Sequence, residues 1–459
     1  MKRESIWNKY NENQLKELEN LSQNYKIFLD EGKTERECVN VIVDRVEKEG
    51  YVELNKLIKE KGKVKAGDKV YAVNMEKNIV LFQIGTEPIE QGMNILGAHI
   101  DSPRLDIKQN PLYEDGDFAY MDTHYYGGIK KYQWVTIPLA IHGVVVKKDG
   151  STVIISIGEE EDDPVFFISD LLVHLSQEQM EKKANKVIEG EALDIIVGNR
   201  PLDGVEKDKV KAGVLNILKE EYDIEEEDFI SAELEVVPAG KAKDAGFDRS
   251  MILAYGQDDR VCSYTSLEAM LKVKDCKRTS CTILVDKEEI GSVGATGMQS
   301  HFFENMVAEL MDLMGEFSEL KLRRCLANSR MLSSDVGAGF DPSYASAFDK
   351  KNVAYLGHGM IIKKFTGARG KSGSNDANAE YIGFLRKIME EADVTFQTAE
   401  LGKVDLGGGG TIAYILSLYG MQVIDCGVPV LNMHAPYEAT SKADLYEVMR
   451  GYEAFLKAE

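Results

Sequence analysis

A chain of 459 residues exceeds what one ordinary hydrophobic core supports, so two domains are expected. With 44% hydrophobic and 29% charged residues the composition is globular, and no window approaches the roughly 20 apolar residues that span a bilayer. A formal charge of −22 argues against nucleic acid or an anionic membrane surface as a partner, because phosphate binding needs a basic face.

The N-terminal MKRESIWNKYNENQLKELEN is charged and amphipathic, with no signal-peptide apolar stretch, so a cytoplasmic location is expected. Leu15, Leu18, Leu21 and Tyr25, then Val39, Val43 and Val46, recur at helical spacing and predict two helices. YAVNMEKNIVLFQIG reads as a hairpin with Glu76-Lys77-Asn78 at its tip. MNILGAHID then reads as a short apolar strand ending in Gly and polar residues. From about Pro103 to Asp248 the texture changes. TIPLAIHGVVVKKDGSTVIISIG is rich in β-branched residues around a Lys148-Asp149-Gly150 turn, and a helical stretch is expected near DLLVHLSQEQMEKKANK. The acidic KEEYDIEEEDFI and a strand, AELEVVP, follow. Short apolar strands resume at MILAYGQDDR, TILVDKEEIGS and MQVIDCGVP, so residues 104–247 read as a domain inserted into one formed by 1–103 and 248–459. The six cysteines are scattered with no CxxC pair, which suggests buried thiols in place of a disulfide framework or thiolate zinc site.

Five clusters of His or carboxylate residues stand out, most of them at the end of an apolar strand. They are His99-Ile100-Asp101, Asp258-Asp259, Asp286-Lys287-Glu288-Glu289, Asp335 in MLSSDVGAGFDP and His434 in VLNMHAPYE. Each alone is an ordinary feature, since a lone His is usually a hydrogen-bonded structural residue and an acidic pair a solvated turn. Together they suit a divalent ion, or two ions sharing a carboxylate, held by imidazole and carboxylate donors. A neighbouring carboxylate that is not a ligand is then wanted as a proton shuttle. Glu288 and Glu289 offer a candidate for each role.

In order and wording the clusters resemble the M18 family of aminopeptidases, the aspartyl aminopeptidase group. GAHIDSPRLDIK resembles its first ligand motif, which makes His99 a ligand and Asp101 the residue that orients it. GQDDRVCSY resembles the segment of the bridging ligand and implies Asp258. DKEEIGSVGATG implies Glu288 as general base and Glu289 as ligand, SSDVGAGFDP implies Asp335 as ligand, and NMHAPYE implies His434. One ion would take His99, Asp258 and Asp335, and the other Asp258, Glu289 and His434. ISDLLVHLSQEQ resembles a segment whose His reaches a neighbouring subunit's active site, which makes His174 a candidate catalytic donor in trans. GHGMIIKKFTGARGKS offers Lys363, with Lys364, Arg369 and Lys371 nearby, where the family places a Lys tied to acidic substrates. LGGGGTIA offers Gly408 and Gly409 beside the substrate backbone. His124, His142, His301 and His358 match nothing and are expected to be structural.

The resemblance implies an α/β zinc-peptidase (phosphorylase/hydrolase-like) catalytic domain with an inserted β-rich oligomerisation domain. It implies two divalent ions per subunit, zinc by expectation, though Mn²⁺ or Co²⁺ accept the same donors. Peptides would be the substrates, and twelve subunits built from dimers the assembly. Two other readings stay open: a related deacylase or carboxypeptidase, and a non-catalytic self-assembling shell.

Overall fold

The computed structural model describes residues 4–459, which divide into two compact units. One runs to Asp101 and resumes over Ala242–Met433 and Glu438–Glu459; the other is Ser102–Lys241 with His434–Tyr437.

The first unit is built on a nine-stranded mixed sheet. At its centre Thr279–Val285, Met93–His99, Arg330–Ser334 and Gln422–Gly427 run side by side and parallel. Nearly every residue of these strands is buried, as a parallel sheet covered on both faces requires. Their side chains alternate between two cores. Leu96 and Ala98 pack into one core with residues of the helices Glu12–Glu31, Glu35–Lys48, Gln257–Lys272, Ala379–Glu391 and Lys442–Leu456. Met93 and Ile95 pack into the other, with Leu54–Glu60, Phe302–Leu313 and Glu319–Asn328. The first two helices start on capping boxes, Asn11 with Gln14 and Thr34 with Glu37.

Register brings the strand ends level. Val285 lies opposite His99, and Ser334 opposite Cys426, so Asp101, Asp286 to Glu289 and Asp335 leave the sheet along one edge. That edge, at the carboxyl ends of parallel strands, is where open α/β sheets bind ligands. The hairpin Lys69–Asn74 to Asn78–Gln83 turns through Met75, Glu76 and Lys77, one residue earlier than expected. Met251–Ala254 does not join the central sheet. It pairs with Glu438–Ser441 in a separate five-stranded sheet of the same unit.

The second unit holds a six-stranded antiparallel sheet. Its order is Thr152–Ile157, Leu139–Val146, Ala232–Pro238, Arg104–Asp115, Phe118–Tyr126, Ile195–Gly198. The helix expected over residues 170–186 is absent. That stretch has a 3₁₀ turn at Val173–Leu175, a single α turn at Gln177–Met180 and another 3₁₀ turn at Ala184–Lys186. Leu171, Leu172, Val173 and Leu175 are consecutive or nearly so, and all are exposed. A run without helical spacing gives no stripe to pack, and short helices depend on packing. The unit's one long helix is Lys209–Tyr222, which includes the first part of the acidic segment.

Candidate metal centre

His99 ends its strand with 1% of its surface exposed. Its backbone is fixed at both polar atoms: the N–H donates to Asp259 Oδ2 at 3.3 Å, and the carbonyl accepts from Ser263 Oγ at 2.6 Å. The ring is held as well. Nδ1 lies 3.0 Å from the Asp101 carbonyl and 3.2 Å from its Oδ1. With Nδ1 so engaged, Nε2 is the atom turned to the acidic cluster, 3.4 Å from Asp258 Oδ1 and 3.7 Å from Glu288 Oε2.

Asp101, fully buried, does more than orient that ring. Its Oδ1 accepts the Glu288 N–H and its Oδ2 the Glu289 N–H, each at 3.1 Å. Both glutamates sit on a 3₁₀ turn, Glu288–Ile290, entered through Lys287 and left through Gly291, each at positive φ. One carboxylate thus ties the end of one central strand to the loop that leaves its neighbour. Asp258 and Asp259 stand at the head of the Gln257–Lys272 helix with non-helical backbone angles, joined by a cis peptide. The Asp258 N–H donates to buried Glu438 Oε2 at 2.9 Å. Asp335 follows its strand directly and donates its N–H to the Cys426 carbonyl at 2.8 Å. His434, at positive φ, has Nδ1 2.8 Å from the Gly128 carbonyl.

These side chains form three groups whose donor atoms lie within 4.8 Å of one another: His99, Asp258 and Asp335; Asp258, Glu289 and His434; His99, Glu288 and Glu289. The first two share Asp258. The electrostatics call for added positive charge. Burial alone would lower the His99 pKa, yet hydrogen bonds to Asp101 and Asp258 and the nearby Glu288 hold it well above its usual range. Burial pushes Glu288 up to about 8; His99 opposes this, while Asp335, Asp101 and Asp258 add to it. Two imidazoles and three carboxylates in overlapping groups fit two divalent ions, which would neutralise this buried negative charge.

The other expected site residues lie outside these groups. His174 is exposed on the Val173–Leu175 turn. Lys363 is buried at the end of Met360–Lys363, its Nζ on the carbonyls of Asp335 and Val336. Gly408 has φ +126°, and a Cβ there would meet the Gly367 carbonyl at 2.1 Å; around Gly409 nothing lies within 4 Å of that position. His142 is engaged by Glu159 at 3.1 Å and His124 by the Tyr125 carbonyl at 2.9 Å. Sequence reasoning missed Glu438, although it follows His434 by four residues, and Ser263, one turn into the helix that Asp258 opens.

A family model described as aminopeptidase I zinc metalloprotease (M18) matches residues 28–456. The probable M18 family aminopeptidase 1 of Clostridium acetobutylicum is 63% identical, over 98% of this chain and 97% of its own. The crystal structure of an M18-family aminopeptidase from Thermotoga maritima matches with a TM-score of 0.95 at 44% identity, covering 100% of this chain and 99% of that one. The S. cerevisiae mApe1 dodecamer is alike in fold, with a TM-score of 0.77 at 20% identity, covering 96% of this chain and 97% of that one. Among the described residues no helix is long and apolar enough to cross a membrane.

Proposed function

The chain belongs to the M18 family of zinc aminopeptidases, and from that premise we propose that it hydrolyses the first residue from peptides at a two-metal site formed by His99, Asp258, Glu289, Asp335 and His434. The observation that carries this assignment is the pair of three-residue donor groups sharing Asp258. When bound, the two ions supply Lewis acidity at the scissile carbonyl and the attacking water, and an anchor for the free α-amine.

The chain's own residues supply the rest. Glu288 takes a proton from the attacking water and returns it to the leaving nitrogen. Asp101 keeps His99 in one tautomer and holds the glutamate loop against it, so that acid and ligand stay in register. The open space beside Gly409 accommodates the substrate backbone, and Gly408 gives the loop the conformation that leaves it open. His174, from a neighbouring subunit, donates a hydrogen bond to the reacting carbonyl oxygen. Twelve subunits assemble into a dodecamer built from dimers, a reading supported by the fold shared with the yeast dodecamer and by the exposed apolar run around His174. Zinc is the resident metal, supported by the family description. A cytoplasmic location accords with six buried, unpaired cysteines.

The test is Glu288→Gln. The variant is expected to retain two metal ions per subunit while turnover falls by about 10²–10⁴-fold. Turnover near wild type would remove Glu288 as the base.

A further inference from the structure

The resemblance makes Lys363 a partner for an acidic first residue. Its surroundings point elsewhere. Strand alternation turns Lys363 inward and Lys364 outward, where Asp376 engages both Lys364 and Lys371. Two of the expected basic residues are therefore matched within their own loop. Lys363 Nζ donates to the carbonyls of Asp335, at 3.3 Å, and Val336, at 3.1 Å. Both belong to the turn that carries a proposed ligand.

Directly across the antiparallel register from Lys363 stands Asp425, fully buried. Register partners project to the same face, so ammonium and carboxylate share one buried surface of the sheet. On its other side Asp425 is in register with Ser333, whose hydroxyl donates to Asp425 Oδ1 at 3.2 Å. The same oxygen accepts from Thr411 Oγ1 at 2.5 Å. Thr411 closes the glycine run, and two residues earlier the Gly409 carbonyl accepts from the Gly367 N–H at 2.7 Å. The run is pinned to the sheet through Thr411 and to the facing loop through Gly409.

We propose that Asp425 is a positioning residue of the peptidase site: it anchors the glycine run through Thr411 and balances Lys363, which positions Asp335 and does not select acidic substrates. This rests on the aminopeptidase reading. Reaching a substrate carboxylate would take Lys363 off two carbonyls and leave Asp425 buried without its counter-charge, which is strongly unfavourable.

The experiment uses the full-length protein and the variants Lys363→Met, Asp425→Asn, Thr411→Val and Thr411→Ser. Zinc affinity is measured by chelator competition, amide exchange over residues 407–411 by mass spectrometry, and kcat and KM on glutamyl- and leucyl-nitroanilide. Lys363→Met and Asp425→Asn are expected to weaken zinc binding by about 10-fold or more. The ratio of kcat/KM on the two substrates should stay within about threefold of wild type. Thr411→Val should speed exchange in the glycine run and raise KM more than it lowers kcat, and Thr411→Ser, which keeps the hydroxyl, should restore both. The proposal is overturned if Lys363→Met loses about 30-fold or more on the glutamyl substrate alone with zinc affinity intact. It is equally overturned if Thr411→Val leaves exchange unchanged. A wild-type protein silent on both substrates would sink the aminopeptidase reading, and zinc affinity and exchange would then judge the positioning roles by themselves.

Discussion

Replacing Asp101 by Asn turns one carboxylate oxygen into an NH₂ group at almost constant volume, so its effect follows from the hydrogen bonds on each oxygen. Oδ1 accepts from the Glu288 N–H and lies 3.2 Å from His99 Nδ1, and Oδ2 accepts from the Glu289 N–H. Whichever way the amide is turned, its NH₂ faces at least one N–H donor. At least one charge-assisted hydrogen bond is lost, about 1.5–3 kcal/mol, and the others now run to a neutral group. Removing the partner that orients a metal-binding histidine typically costs about 10–100-fold in affinity, or about 1.4–2.7 kcal/mol, which matches the hydrogen-bond figure. The assay is zinc titration of metal-stripped protein against a chelating indicator, with circular dichroism to show that the fold is kept. Affinity within about twofold of wild type, in a folded variant, would refute the role given to Asp101.

The two glycines should respond differently to alanine. Gly408→Ala forces a Cβ onto the Gly367 carbonyl at φ +126° and is expected to cost about 1–3 kcal/mol in denaturant unfolding. Gly409→Ala meets nothing within 4 Å, so stability should hold while KM rises, and an unchanged KM would move the substrate away from this loop. Asp244 offers a test of a partly buried charge. It accepts from Lys26 at 2.8 Å and Lys442 at 3.1 Å, and although burial works to raise its pKa, those two lysines bring it below the usual carboxylate range. A depressed folded pKa means stability that is present above the unfolded value, near 4, and is lost as pH falls through the folded one. Asp244→Asn should therefore be less stable than wild type by about 1–3 kcal/mol at pH 7, and urea unfolding should show the gap closing below about pH 4.

The residues of the candidate metal centre were legible because parallel strands advertise themselves. Buried on both faces, they read as unbroken apolar runs, and polar residues directly after such a run stand at the ligand-binding edge. Met93–His99 and Thr279–Val285 are of this kind. The long hairpin beginning at Arg104 was not legible, because RLDIKQNPLYED carries a proline, exposed polar residues and a register shift between Ile107 and Leu112. The stretch around His174 breaks into short turns because Leu171, Leu172, Val173 and Leu175 follow one another without helical spacing and are exposed, which leaves no stripe to pack. What lies far apart in sequence stayed hidden as well. Nothing near Asp101 signals that its carboxylate caps amides 187 and 188 positions later. Likewise MIIKK does not say that Lys363 faces Asp425, although strand alternation does predict that one lysine of the pair turns inward.

The most direct test of the central claim is hydrolysis of aminoacyl-nitroanilides and their N-acetylated counterparts by metal-stripped protein, before and after reloading with Zn²⁺, Mn²⁺ or Co²⁺. The account predicts release from the free substrates only after metal is restored, with none from the blocked ones, because the α-amine needs its anchor in the site. Equal cleavage of blocked substrates, activity that ignores the metal, or silence from a folded and fully loaded protein would each contradict it.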